Sequence, residues 1–266
     1  MAVAARGALF VGALAVIGEV GASWVHGARW GERLAPASRT TVLASWWVAS
    51  VALLMLFVAQ FLALELAPSA ADVAMLVRQT AWGTGWMLLT ACVLVGAFMA
   101  FIRAALVVRL AAVVALAVAM GGLGHAAADE TAPWLARALD AGHVVAVGAW
   151  LGTLAQVART RSADAWSRFS RLATVAAPIA IATGGWAAWR RVSTASVPLI
   201  LASDYGRLLA LKTAIVVGVL LLGAWHRRQL RARGLPSSAG IRAEIALACA
   251  TLLVTAVLTG SAPPGE

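Results

Sequence analysis

Cysteine is almost absent from this 266-residue chain: Cys92 and Cys249 are the only two, and both sit inside apolar runs. A disulfide framework and a Cys-x-x-Cys motif are thereby excluded, and buried free thiols are the expectation. Charge is scarce as well, at 12% of residues, and acidic charge scarcest, with 11 Asp and Glu against 21 Lys and Arg. No nucleophile elbow, phosphate-binding glycine loop or zinc-protease His-Glu pair occurs, so an enzyme of soluble type is not expected.

What fills the chain is hydrocarbon-compatible sequence. Hydrophobic residues make up 62% of it and the mean hydropathy is +0.88, against about 45–50% apolar in soluble proteins. Apolar runs recur at about 7–25, 41–64, 81–102, 106–124, 138–158, 170–189, 207–226 and 243–260. Each has the length of roughly 20 residues that a bilayer core of about 30 Å demands. Each must be a helix, because unpaired backbone polar groups cannot face lipid. The reading is an all-α, polytopic integral membrane protein of eight transmembrane helices, a single membrane domain over residues 1–266. Arg6 before the first run suggests a signal peptide, but Glu19 interrupts that run, which is therefore kept as a helix.

The net charge of +10 does not indicate nucleic acid, because the arginines lie at the ends of apolar runs and contact lipid headgroups. Arg29, Arg33, Arg39, Arg103, Arg109, Arg159, Arg161, Arg168, Arg171, Arg227, Arg228, Arg231, Arg233 and Arg242 fall on one side. Arg6, Arg78, Arg137, Arg190, Arg191, Arg207 and Lys212 fall on the other. The richer side is expected to be cytoplasmic, which puts both termini in the periplasm. Tryptophans follow the same division. Trp24, Trp30, Trp46, Trp47, Trp166 and Trp225 mark one interface, and Trp82, Trp86, Trp134, Trp186 and Trp189 the other; only Trp150 sits mid-span.

Two outer loops, 65–80 and 190–206, run into similar helix starts: Thr80-Ala-Trp-Gly83 and Ser203-Asp-Tyr-Gly206. Gly124-His125-Ala126 and Gly260-Ser261-Ala262 likewise end the fourth and eighth runs. A parallel repeat of four helices, with halves 1–126 and 135–262, is inferred. Pro178 is expected to kink the sixth helix.

Four histidines stand out from this background. His125 and His143 flank one outer loop, and imidazole binds Cu, Zn, Fe and Ni while thioethers favour Cu(I). A soft-metal site from His125 and His143, helped by Met120, is therefore sensible, with Trp150 seven residues beyond His143 as a wall. Met75 and Met87 also fall in the outer half, although methionines in apolar helices usually only pack. His26 and His226 read as headgroup contacts at the other face. Glu19, Ser23 and His26 share a helix face, which suits either a proton or cation relay or a structural hydrogen bond. Lys212 lies within snorkelling reach of the outer face, with Asp140 as a candidate partner.

Gly124-His125-Ala, then Leu139-Asp140-Ala-Gly-His143 with Trp150-Leu-Gly152-Thr153-Leu154, resembles the signature of the CopD copper-resistance membrane proteins. Phe169-Ser-Arg-Leu172, Thr183-Gly184 and Tyr205-Gly-Arg-Leu-Leu-Ala-Leu-Lys212 resemble that family's second half, so the likeness spans about 76–262. Thr153 stands where a second glycine is usual, and Glu19 has no counterpart. The resemblance implies an inner-membrane protein that moves copper, as Cu(I), from periplasm toward cytoplasm. It makes His125 and His143 the metal contacts, and it suggests a periplasmic copper-binding protein as a partner beside the lipid bilayer. Histidines toward both faces also fit a second reading, a b-type haem electron carrier, which a Soret band would reveal.

Overall fold

The computed structural model describes residues 1–26, 35–66, 69–102, 104–123, 133–160, 162–193 and 195–264. His125 and the rest of its loop lie outside them. Regular structure among the described residues is helical throughout. Two short helices, α3 (Ala70–Gln79) and α8 (Val197–Ala202), lie in the segments 65–80 and 190–206. The long ones are α1 (Ala2–His26), α2 (Ala35–Ala63), α4 (Ala81–Phe101), α5 (Leu106–Gly121), α6, α7 (Ala163–Val192), α9 (Asp204–Arg233) and α10 (Ser238–Leu258). Helix α6 is composite, made of Pro133–Val147, a π turn Gly148–Gly152, and Thr153–Val157.

Each of the eight expected runs corresponds to one long helix, and seven are long and apolar enough to cross a membrane. The eighth, α5, has 16 residues, about 24 Å at 1.5 Å per residue, short of a bilayer core of about 30 Å. The chain is a multi-pass membrane protein. Several helices overrun the apolar stretches toward the arginine-rich face, α9 as far as Arg233. Hydroxyl side chains start them: Thr80, Ser162, Ser203 and Ser237 each accept from the backbone N–H three residues on, satisfying donors that helix geometry leaves open. Helix α7 runs unbroken through Pro178.

Helix α1 is the shaft of the bundle. In its apolar stretch 56% of residues are buried, against 6% in α9. Leu9, Ala13, Val16, Ile17 and Val20 enter a core cluster with α2, α4 and α5, while Val25 enters a second cluster with α6, α7, α9 and α10. The tightest crossing is with α6. A Cβ added at Gly18 would collide with the backbone of Gly152, one at Gly148 would lie 2.6 Å from Ile17 Cβ, and Thr153 Oγ1 donates to Gly18 O at 3.4 Å. Small residues let two membrane helices approach this closely, which matters where lipid removes the hydrophobic drive to associate. The π turn lies on the same contact, and its extra residue per turn changes the register between His143 and Trp150. Trp150 accordingly packs into the second core cluster.

Several placements correct the sequence reading. Trp46 and Trp166 are 3% and 2% exposed, so they are core residues rather than interface belt; the outer edge of the Trp46 ring abuts Gly96, where no side chain would fit. Trp24, Trp47, Trp134 and Trp189 are exposed, as belt residues are. Cys249 is exposed on the outside of the bundle and Cys92 half-buried, both free. The two similar helix starts are capped alike, with the hydroxyl donating to a carbonyl four residues back at Thr80 and three back at Ser203. Thr80 Oγ1 donates to Leu76 O at 2.6 Å and accepts from Gly83 N at 2.9 Å, while Ser203 Oγ donates to Ile200 O at 2.7 Å and accepts from Gly206 N at 3.0 Å.

Gly18→Val should force α1 and α6 apart and lower stability by about 1–3 kcal/mol, the usual range for overpacking. Gly142→Ala, with open space around its added methyl, should not destabilise. Unfolding of the full chain in mixed micelles, followed by tryptophan fluorescence, measures both; equal stability of the two variants would refute the tight crossing.

Candidate metal-uptake site and the buried polar bridges

His143 lies on α6, ten residues past Pro133, and is half-buried with its ring turned toward α7. Its Nδ1 is 3.0 Å from Ala180 O and 3.1 Å from Thr183 Oγ1. The Thr183 hydroxyl is itself 2.6 Å from Ile179 O, to which it donates. A carbonyl oxygen only accepts, so Nδ1 carries the hydrogen and Nε2 keeps its lone pair. This arrangement of a histidine ligand, one nitrogen oriented by backbone and the other bare, is the one that metal sites use. Gly184 makes room for the ring: a Cβ there would lie 2.9 Å from His143 Cε1. Thr183-Gly184 is thus a cradle for His143.

Around this ring the polar groups are mostly cationic. Lys212 on α9 is within Coulombic reach of His143, and Arg191 at the end of α7 is within reach of both Lys212 and Asp140. No described ion pair joins Asp140 to Lys212 or to Arg191. Met75 and Met87 are 36% and 39% exposed, and Met120 packs against the first core cluster. No group of three or more His, Cys, Asp and Glu gathers among the described residues. Since His125 lies outside those residues, the structure gives the His143 half of the expected pair.

Two further polar bridges cross helix interfaces nearer the arginine-rich face. Glu19 on α1 accepts from the Arg109 guanidinium on α5; Ser23 donates to Glu19 Oε1 at 3.2 Å and accepts from Arg109 at 3.1 Å. The carboxylate is thus paired and hydrogen-bonded, and it joins α1 to α5. The side chain of His26 lies outside the description.

The second bridge departs from the sequence reading of His226. His226 on α9 is 4% exposed, not at a headgroup, and its Nδ1 is 2.6 Å from Oε2 of Glu244 on α10, itself 2% exposed. Small residues face each polar one: Gly223 lies beside Glu244, and Gly240 beside Nε2 of His226. That Nε2 has no hydrogen-bond partner among the described residues. Glu244 sits inside the eighth apolar run, so the rule that marks Glu19 as unusual, that a carboxylate in a membrane span needs a partner, would have found it.

Residues 163–258 match the family model CopD, described as Copper resistance protein D. The match takes in α7 to α10, hence Thr183, Gly184, Lys212, His226 and Glu244, and is shorter than the likeness read from sequence. No curated protein and no solved structure matches the chain.

Glu244→Ala leaves a buried imidazole without its partner and should cost about 3–5 kcal/mol of stability, whereas His226→Leu/Glu244→Leu should recover most of it. Denaturant unfolding in mixed micelles tests this, and a single variant as stable as wild type would contradict the bridge.

Proposed function

We propose that this multi-pass membrane protein, marked by its CopD region as a protein of copper resistance, moves copper ions across the inner membrane from periplasm to cytoplasm. Copper here is cargo. The observation that carries the reading is the Nδ1–H of His143 held on the Ala180 carbonyl, which leaves Nε2 as a lone-pair donor for a soft ion. His125, from the loop before α6, supplies the second imidazole. A two-nitrogen site suits Cu(I), which tolerates low coordination.

The neighbouring cations suit transport better than storage. Lys212 repels a metal cation at His143, so the ion is held shallowly and passed on, as permeation requires of any site on a path. The arginine-rich face is the cytoplasmic one by the distribution of basic residues, with both termini periplasmic. A periplasmic copper-binding protein would deliver the ion, and the copper gradient would drive it.

The haem reading is less well supported. Of the histidines near the arginine-rich face, His226 has Nδ1 on Glu244 and Nε2 against Gly240, which leaves no approach for a porphyrin.

His125→Ala/His143→Ala should abolish copper accumulation at unchanged membrane levels of the protein, measured by elemental analysis of cells and of purified protein. Thr183→Val, which removes a partner of Nδ1, should weaken Cu(I) affinity by about 10–100-fold, the usual effect of an outer-shell change. Unaltered copper uptake in the double variant, or a Soret band in the purified wild type, would overturn the assignment.

A further inference from the structure

His226 and Glu244 meet in the interface between α9 and α10, with apolar Leu230 one turn from His226 and Ile241 and Ala248 one turn either side of Glu244. Glu244 is six residues into α10, about 9 Å along it from the helix start. Carboxylate and imidazole are thus enclosed well inside the bundle, near its arginine-rich face.

The charge states of this pair are few. With His226 neutral and Glu244 ionised, Nδ1–H donates to the carboxylate, Nε2 is a bare lone pair, and the interface encloses one net negative charge. Adding one proton gives an imidazolium facing a carboxylate, or a neutral ring accepting from a carboxylic acid. Both are net neutral, and hydrocarbon strongly favours neutrality. In both, Nε2–H points at Gly240 without an acceptor, so no protonation state satisfies every atom. Trp225 stacks on the ring with centroids 5.9 Å apart, a geometry that favours a positive charge on it.

Among the described residues no second cation pairs with Glu244. Arg227, Arg228 and Arg231 on α9, Arg242 on α10, and Arg168 and Arg171 on α7 are the described basic groups on the packed elements near this face. Arg227 donates to Thr174 at 3.0 Å, Arg168 pairs with Asp164, and on α1 Glu19 is held by Arg109. Among the described ion pairs, His226 and Glu244 have only each other.

We propose that His226 and Glu244 form a membrane-buried proton-carrying site, whose single exchangeable proton leaves as a copper cation approaches the inner half of the bundle and returns once the cation has gone. The proton leaves the pair for water at the cytoplasmic face, so the charge inside stays constant through the step and no electron moves. The link to copper rests on the transport reading above; the proton site itself does not.

The full chain is reconstituted in vesicles of phosphatidylethanolamine and phosphatidylglycerol, and infrared difference spectra are recorded between acidic and alkaline buffers without copper. Wild type is expected to show carboxyl and imidazole bands that vanish together in Glu244→Gln; identical spectra of the two proteins overturn the site. In the same vesicles, with the lumenal pH reported by a trapped dye, the rate of Cu(I) uptake by wild type should change with the pH of the compartment that the arginine-rich face meets. Glu244→Gln should lose that response; an unchanged response overturns the link. Should wild type move no copper while its infrared bands persist, the site stands and both the link and the transport reading fall. His226→Gln/Glu244→Gln, which keeps an amide pair in the gap, replaces the single variant if that one does not fold, with the same readings.

Discussion

The backbone contact of Gly18 with Gly152 sets the geometry of everything around it. Where lipid is the solvent, helices gain nothing by hiding leucine from it, and association depends on how closely their backbones fit. Glycines at 18, 148 and 152 bring α1 against α6, and Thr153 bonds across the gap. Because α1 also contributes to both core clusters, the depth and rotation of α6 are fixed by a helix that lies outside the CopD match. His143 is part of that same α6, so the crossing sets which face of α7 its ring meets.

The bridges of Glu19, His143 and His226 each span a helix pair inside the bundle, and their leftover valences differ. Glu19 with Arg109 and Ser23 is complete in charge and in hydrogen bonds, as a structural pin should be. His143 is complete at Nδ1 and open at Nε2. The His226–Glu244 pair balances its charge only with an added proton and leaves Nε2 unsatisfied even then. Burial costs polar groups heavily unless they are paired, so an incompletely satisfied atom in such a place points to something that arrives and leaves. This criterion separates the three bridges where residue type alone would not.

The eight helices were legible because a bilayer imposes a length and a composition on every span, and both are written along the chain. Which face of a span turns inward is not written that way. A helix apolar all round carries little amphipathic signal, so Trp46 and Trp166 read as belt residues although they lie in the core. His226 read as a headgroup contact for a related reason. Its position near Arg227 and Arg228 describes the end of α9, whereas its environment is decided by Gly223, Gly240 and Glu244, two of them on another helix. Thr183-Gly184 was visible as part of a family likeness, but its task, a cradle for an imidazole forty residues earlier, appears only once α6 and α7 are side by side.

The neighbour order adds a further argument. In the first half α1 packs on α2 and α4 on α5; in the second α6 packs on α7 and α9 on α10. The Thr80 and Ser203 turns occupy equivalent places in that order, and α1 meets α6 where the two sets join. On the proposed reading copper is received on α6, beside this junction, and the proton pair lies in α9 and α10 at the far end of the second set. A cation crossing between them passes from a site made shallow by Lys212 to one whose only mobile charge is a proton. Charge compensation then orders the steps without any moving domain: the proton has to leave as the cation comes near, and the cation has to leave before the proton returns.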